Sequence, residues 1–453
     1  MSEVDRAELA ALLADVAEEV GVAGAQFAVA TAPDAEPVAV AYGTANPDTR
    51  SPMTATTLVQ VGSTTKVYTA ALAMALVDDG LADLDAPVRT HLPDLRLGDR
   101  VAERTITLRH LMSMSSGLDN GPYADTGVGD DCVRRYVDLL DGLPQHFPPG
   151  TGFGYSNAST VVTGAVVEVL TGRTWDDALR ARLLDPVGLD RTATRYEELP
   201  YHRVAVGVGL VGGVPQVRRV GWCATRGMGP AGSSAAASAA DVVRFGQVFL
   251  RGGRAADGTR VLSDRAVATM QQAQVDVPAK LFADRWCVGP YQRDWGGVAV
   301  YGHSGTTPNG SSLLLWVPVR GVALACLTNT ADLGYPLADA MATAVLSRWC
   351  GVHRDRTGPR PVDHPVDADL YVGRYAAHGV DYAVERSATG LTVTMTGEAE
   401  TVVSGLVPLG DHRFWPEDPR VSGHHPWDVA FCPDGTGRIV RLLNGAFPAR
   451  RVS

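Results

Sequence analysis

Lysine is nearly absent from this chain. Of 40 basic residues in 453, only Lys66 and Lys280 are lysines; the rest are arginines. Arginine serves wherever a fixed charge or a solubilising stem is enough, but its guanidinium cannot lose a proton near neutral pH, and an amine can. Codon bias accounts for the scarcity; a lysine kept at one place still asks for a chemical reason. Long apolar runs are missing too, and no stretch reaches the ~20 residues a membrane-spanning helix needs. Cys132, Cys223, Cys287, Cys326, Cys350 and Cys432 show no paired spacing. That reads as buried free thiols in a reducing compartment, not as a disulfide framework or a zinc site. A surplus of basic charge is also lacking. The net charge of −10 argues against nucleic acid or an anionic membrane as partner. The start, Met1-Ser2-Glu3-Val4-Asp5-Arg6, lacks the basic head and continuous apolar core of a secretory signal, so a cytoplasmic protein is expected. Nor is there a Gly-x-Ser-x-Gly elbow, a His-Glu-x-x-His pair or a phosphate-binding glycine loop. No metal and no cofactor are expected.

What remains is an ordinary globular composition, 45% hydrophobic and 20% charged. The length calls for one large domain with a small one, or two comparable ones. The first helix carries Leu9, Leu12, Leu13, Val16 and Val20 on one side. Strand-like runs follow at Phe27–Ala30 and Val38–Tyr42. A helical pattern opens at Ser63, stops at Gly80, and resumes over Thr105–Met112. A mostly helical middle runs to about residue 275. Strands return at Val298–Tyr301, Ser311–Val317 and Val322–Thr328, then a helix at Ala338–Trp349. The expected fold class is α+β: an antiparallel sheet built from both ends of this unit, flanked by helices, with an all-helical insertion. Residues 353–368 read as a Pro-rich linker between a domain at 1–352 and one at 369–453. In the latter, alternating runs at Tyr371–Tyr375, Tyr382–Glu385, Leu391–Met395, Val402–Val407, Trp427–Phe431 and Ile439–Leu443 suggest a small antiparallel barrel.

Lys66 lies three residues after Ser63 in Val61-Gly62-Ser63-Thr64-Thr65-Lys66. On a helix that spacing stacks the two side chains one turn apart, so a desolvated amine can take the serine proton. The helix N-terminus adds unsatisfied N–H groups where an oxyanion would form. Two further segments carry chemistry-bearing residues. Tyr155 and Asn157 sit in Gly154-Tyr155-Ser156-Asn157, at the end of a Gly/Pro-rich loop before a helix. They read either as a phenolate or proton relay (Tyr155) with a donor to a substrate amide (Asn157), or as a helix cap with a packed aromatic. His303 lies in Tyr301-Gly302-His303-Ser304-Gly305-Thr306, a strand whose glycines allow close backbone approach. It reads as a catalytic group or as a hydrogen-bonded core histidine. His91, His110, His146, His424 and His425 lack partners at ligand spacing and read as surface or structural residues.

Together, Ser63-x-x-Lys66, Tyr155-x-Asn157 and His303-x-Gly305 resemble, in order and spacing, the serine β-lactamase and penicillin-binding-protein superfamily, in particular its class C β-lactamase-like branch. The stretches Thr107–Leu118 and Gly229-Pro230-Ala231-Gly232 are similar to that family as well, over about residues 8 to 350. His303 stands where many members carry the lysine of Lys-Thr-Gly. The resemblance implies Ser63 as the acylated nucleophile, and Lys66 and Tyr155 as the groups that move its proton. It further implies Asn157 as donor to the acyl-side amide and His303 in proton traffic near the leaving group. Gly305 would line the substrate, and the Ser63 and Thr306 amides would form the oxyanion hole.

The length, the absent signal and the small lipocalin-like C-terminal domain look most like the penicillin-binding-protein-type thioesterases of nonribosomal peptide assembly. Such an enzyme would take a peptidyl thioester, presented by a carrier-protein domain, and close it head to tail. A barrel over the cleft would help exclude water, or would only cap exposed surface. The alternative is an intracellular hydrolase with the same intermediate: a D-amino-acid peptidase or amidase, or a β-lactamase-like carboxylesterase. Retention of all four polar site residues argues against a purely binding role.

Overall fold

Asp5 caps the first helix. Its carboxylate accepts from the Ala7 and Glu8 amides, and α1 (Arg6–Val20) turns Leu9, Leu13 and Ala17 inward. The computed structural model describes residues 4–219, 225–354, 358–362, 366–388, 390–398, 400–423 and 425–453. Met1–Glu3, two pieces of the linker, Cys223, Thr389 and His424 lie outside these.

After α1 come β1 (Gly24–Ala30) and β2 (Val38–Asn46), then α2 (Thr65–Asp78), α3 (Asn157–Thr171) and α4 (Ala239–Leu250). The unit ends with β3 (Tyr291–Trp295), β4 (Val298–Thr307), β5 (Gly310–Val317), β6 (Val322–Thr328) and α5 (Gly334–Cys350). The main sheet runs Ser51–Pro52, β2, β1, β6, β5, β4, β3, Arg285–Trp286, Val275–Asp276, with every neighbour antiparallel. β1 lies beside β6, from Ala25↔Thr328 to Ala30↔Ala323, so the two ends of the unit close its centre.

Every residue of β1 is buried because both faces are covered. Ala25, Phe27 and Val29 join Leu9 and Leu13 of α1 and Leu337, Met341 and Val345 of α5. Ala28 and Ala30 join the opposite core, with Val242, Phe245 and Val248 of α4. Full burial of a side chain such as Phe27 contributes roughly 1.5–3 kcal/mol.

The insertion between β2 and β3 departs from an all-helical expectation. It holds a small sheet of Val59–Gln60, Ala236–Ala237 and Thr192–Ala193, and a hairpin of Val208–Val211 with Val214–Val217. The pattern at 105–112 is also broken. One helix ends at Thr105, and the next starts at Leu108, where Thr107 caps the His110 amide.

The C-terminal strands are β7 (Gly373–Ala377), β8 (Val380–Ser387), β9 (Gly390–Gly397), β10 (Thr401–Gly410), β11 (Arg413–Pro416), β12 (Val429–Pro433), β13 (Ile439–Asn444) and β14 (Phe447–Arg451). They form a closed up-and-down barrel in which β14 returns to pair β7 at Tyr375↔Arg451. Closure removes the exposed sheet edges. Tyr375, Tyr382, Phe414 and Phe431 help fill the interior. The barrel is fastened to the larger unit. The Asp428 carboxylate accepts from the Lys280 and Leu281 amides at 3.1 Å each, and Asp119 accepts from the His378 amide at 3.0 Å. Among the described residues no helix is long and apolar enough to cross a membrane, and the five cysteines present are unbridged and buried.

Candidate active site

Ser63 sits in a 3-10 turn, Gly62–Thr64, that runs straight into α2, so it precedes the α-helix instead of opening it. Lys66 is the second residue of α2. Glycine is required on both sides of this turn. Gly62 has φ +52°, and a Cβ there would come 2.6 Å from the Thr306 nitrogen. A Cβ on Gly305 would come 2.0 Å from the Val61 carbonyl oxygen and 2.6 Å from the Ser63 nitrogen. β4 therefore packs directly on the Ser63 turn. Thr64 Oγ1 and Ser312 Oγ share a 2.7 Å hydrogen bond, and Ser312 Oγ donates to the Val61 carbonyl at 2.6 Å. These contacts hold the backbones of Ser63 and Thr306 side by side.

Lys66 is only 2% exposed. Its Nζ lies 2.9 Å from Ser63 Oγ, 2.7 Å from the Ala231 carbonyl oxygen and 5.0 Å from the centre of the Tyr155 ring. None of the described carboxylates pairs with it. Burial lowers its pKa well below the ordinary lysine value. The same 2.9 Å contact then serves a neutral amine that accepts the Ser63 hydroxyl proton.

Tyr155 is buried among Phe282, Trp286, His303 and Phe447. Burial drives its pKa far above that of free tyrosine, and a hydrogen bond with Ser63 only partly offsets this. The phenol is thus protonated at neutral pH, which favours a relay over a standing phenolate. Asn157 is the first residue of α3, behind the Ser156 cap, and its Nδ2 donates to the exposed Tyr123 hydroxyl at 3.2 Å. His303 Nδ1 meets the Ser304 carbonyl at 2.5 Å, so Nδ1 carries the hydrogen and Nε2 is left as an acceptor without a partner. Burial, then the nearby Lys66, push its pKa down to about 3. At neutral pH this imidazole can accept a hydrogen bond but carries no charge.

Ser63, Tyr155, Asn157, His303, Gly305 and Thr306 line one cavity of about 370 Å³, and Lys66 lies behind the serine outside its lining. β3 pairs β4 only as far as Gly302, which leaves the outer edge of Ser304–Thr306 without a strand. An extended peptide can add there. The opposite wall comes from the barrel: Val421–Gly423, His425, Trp427, Asn444, Ala446 and Phe447. The Ala446 carbonyl accepts from the Tyr155 amide at 2.9 Å, and Phe447 packs edge-on to Tyr155 at 5.5 Å. These wall residues were not expected from the sequence, and His425, read there as surface or structural, stacks on Trp427 at 4.1 Å. His146 is instead held against buried Asp119 at 2.8 Å, and His110 completes a helix cap. Among the described residues no cluster could hold a metal ion.

The Beta-lactamase family model matches residues 9–364. The chain belongs to that family. Its members are serine hydrolases, and this member carries an additional barrel. Penicillin-binding protein 4 of Amycolatopsis lactamdurans is 38% identical, over 75% of this chain and 90% of its own length. Esterase EstB of Burkholderia gladioli is 29% identical, over 68% and 87%. Among solved structures, SurE superposes with a TM-score of 0.81 at 28% identity, over 99% of both chains. A second SurE structure, with D-Leu, gives 0.79 at 27%, again over 99% of both.

Proposed function

We propose that this Beta-lactamase family member is a penicillin-binding-protein-type thioesterase that takes a peptidyl chain from a thioester onto Ser63 and releases it as a head-to-tail ring. The observation that carries this reading is the barrel wall. Phe447, Trp427 and Ala446 stand across the same cavity as Ser63, so the acyl-serine forms facing apolar barrel side chains. There a tethered amine can outcompete water; effective molarities of well-placed intramolecular groups reach on the order of 10⁵ M or more. The likeness to SurE spans the barrel as well as the catalytic unit, and the D-Leu in one SurE structure favours a D-configured residue at the acyl position.

The steps balance with this chain's own groups. As Ser63 Oγ attacks the thioester carbonyl, its proton passes to neutral Lys66 Nζ, 2.9 Å away. The side-by-side amides of Ser63 and Thr306 stabilise the oxyanion. The C–S bond breaks, and the thiolate recovers a proton by way of Lys66 and the Tyr155 hydroxyl. The peptide's N-terminal amine then attacks the ester and loses a proton to Lys66. The bond to Ser63 Oγ breaks and the serine is reprotonated. Asn157 Nδ2 exchanges Tyr123 for an acyl-side amide, and the free edge of β4 holds the chain extended. A carrier-protein domain presenting the thioester is part of the proposal, as is action in the cytoplasm.

The test is a linear peptidyl thioester ending in a D-residue, with products weighed. A product one water lighter than the linear acid is expected. Linear acid alone would overturn cyclisation for that substrate and favour a hydrolase with the same intermediate.

A further inference from the structure

The cavity extends past the reacting groups along the face of β5 and α5, beneath the barrel segment Val421–Trp427. Arg293, Trp295, Tyr335 and Asp339 line this part of it. Arg293 is the unusual member. Its Nε donates to the Phe282 carbonyl at 3.0 Å, Nη2 donates to the same oxygen, and the guanidinium also bonds the Tyr335 hydroxyl and lies 5.3 Å from the Tyr291 ring centre. No carboxylate lies within ion-pair distance of it among the described residues. Asp339, the acidic group nearby, is held by Arg354 through two bonds of 2.7 Å.

A guanidinium is always charged and has five N–H donors, more than one carbonyl and one phenol can use. Arg293 is only partly buried and lines the cavity, so the donors that the carbonyl and the phenol leave unused are open to an anion there. Trp295 adds a second donor: it is buried, and its indole N–H has no partner. These donors call for a ligand that only accepts. The neighbouring Asp339 favours one negative charge over two, and a planar carboxylate matches the guanidinium fork.

We propose that Arg293 and Trp295 form a carboxylate subsite of the cavity, which holds an acidic group of the substrate while another part of the same molecule reacts at Ser63. The assignment deepens the acyl-transfer reading and rests on it for the identity of the substrate. The carboxylate belongs either to an acidic side chain of the acyl peptide or to the free C-terminus of a peptide partner.

Ser63→Ala allows binding to be read without chemistry. Calorimetry would compare two matched pairs of D-terminated peptides, one pair with Glu or Gln in the chain, the other with a terminal carboxylate or carboxamide. The carboxylate member of one pair should bind at least tenfold tighter, and the pair that shows it identifies the source. In Ser63→Ala/Arg293→Met that ratio should fall to near one, and Arg293→Lys should retain part of it. A ratio below two in both pairs overturns the subsite without recourse to any Arg293 variant, as does a preference that survives Arg293→Met. Failure of the wild-type protein to form a Ser63 ester with any peptidyl thioester would sink the acyl-transfer reading alone, because the binding ratios do not depend on it.

Discussion

The two walls of the cavity are organised differently. On the catalytic side, Ser63 and Lys66 are three residues apart on consecutive helical turns, and their 2.9 Å contact follows from local geometry. On the barrel side, Ala446 and Phe447 reach Tyr155 from nearly 300 positions further along the chain. The first wall makes the serine reactive: it buries an amine until that amine prefers to be neutral. The second supplies the aromatic surface of Trp427 and Phe447 and the Ala446 carbonyl that accepts from the Tyr155 amide. On the proposed function, bond making belongs to the larger unit and the fate of the ester to the smaller.

The largest effect expected belongs to the catalytic wall. Lys66→Arg keeps the charge but cannot accept a proton, so acylation measured by intact mass should fall by roughly 10³-fold or more. Wild-type acylation should rise with pH as Lys66 loses its proton and level off below the ordinary lysine value of 10.5, because burial lowers that pKa. His303, already neutral above about 3, should add no inflection near neutrality. Retained acylation in Lys66→Arg, or a midpoint at or above 10.5, would contradict the role given to the buried amine.

A smaller effect should come from the joint between the walls. Asp119 accepts from His146 and from the barrel's His378 amide. Burial raises its pKa, but those bonds, with help from Gly121, outweigh it and hold the carboxyl below the usual carboxylate range. A depressed carboxyl pKa contributes stability that is complete above the unfolded value and lost as pH falls through the folded one, so the window lies below about pH 4. Asp119→Asn should cost about 1–3 kcal/mol at neutral pH and flatten that acid-side loss in thermal denaturation. An unchanged midpoint would mean that this joint carries no load. The smallest effect is expected on the outer face of the barrel, where Val403 is 62% exposed. Val403→Ser should shift stability by less than ~0.5 kcal/mol and leave product ratios unaltered.

What could be read from the sequence follows the same division. The Ser63–Lys66 pair was legible because helical spacing is local. β6 was legible because a sheet covered on both faces leaves an unbroken apolar run. Six barrel strands showed by alternation, whereas Arg413–Pro416 is too short, and Phe447–Arg451 carries Pro448 and two arginines. β3, Tyr-Gln-Arg-Asp-Trp, is polar at its centre and gave no strand signal, although it places Arg293 and Trp295. The barrel's share of the site was not legible. No spacing rule connects Ala446 to Tyr155, and the contact exists only once a closed barrel is fastened by Asp119 and Asp428.

The division of labour is tested most directly by Phe447→Ala, read in one experiment for both the rate of Ser63 ester formation and the ratio of ring to linear acid. The account predicts that ester formation changes by less than about fivefold while the ratio drops by tenfold or more, because water gains access to an ester that still forms. An unchanged ratio, or a loss of ester formation as severe as that of Lys66→Arg, would contradict it.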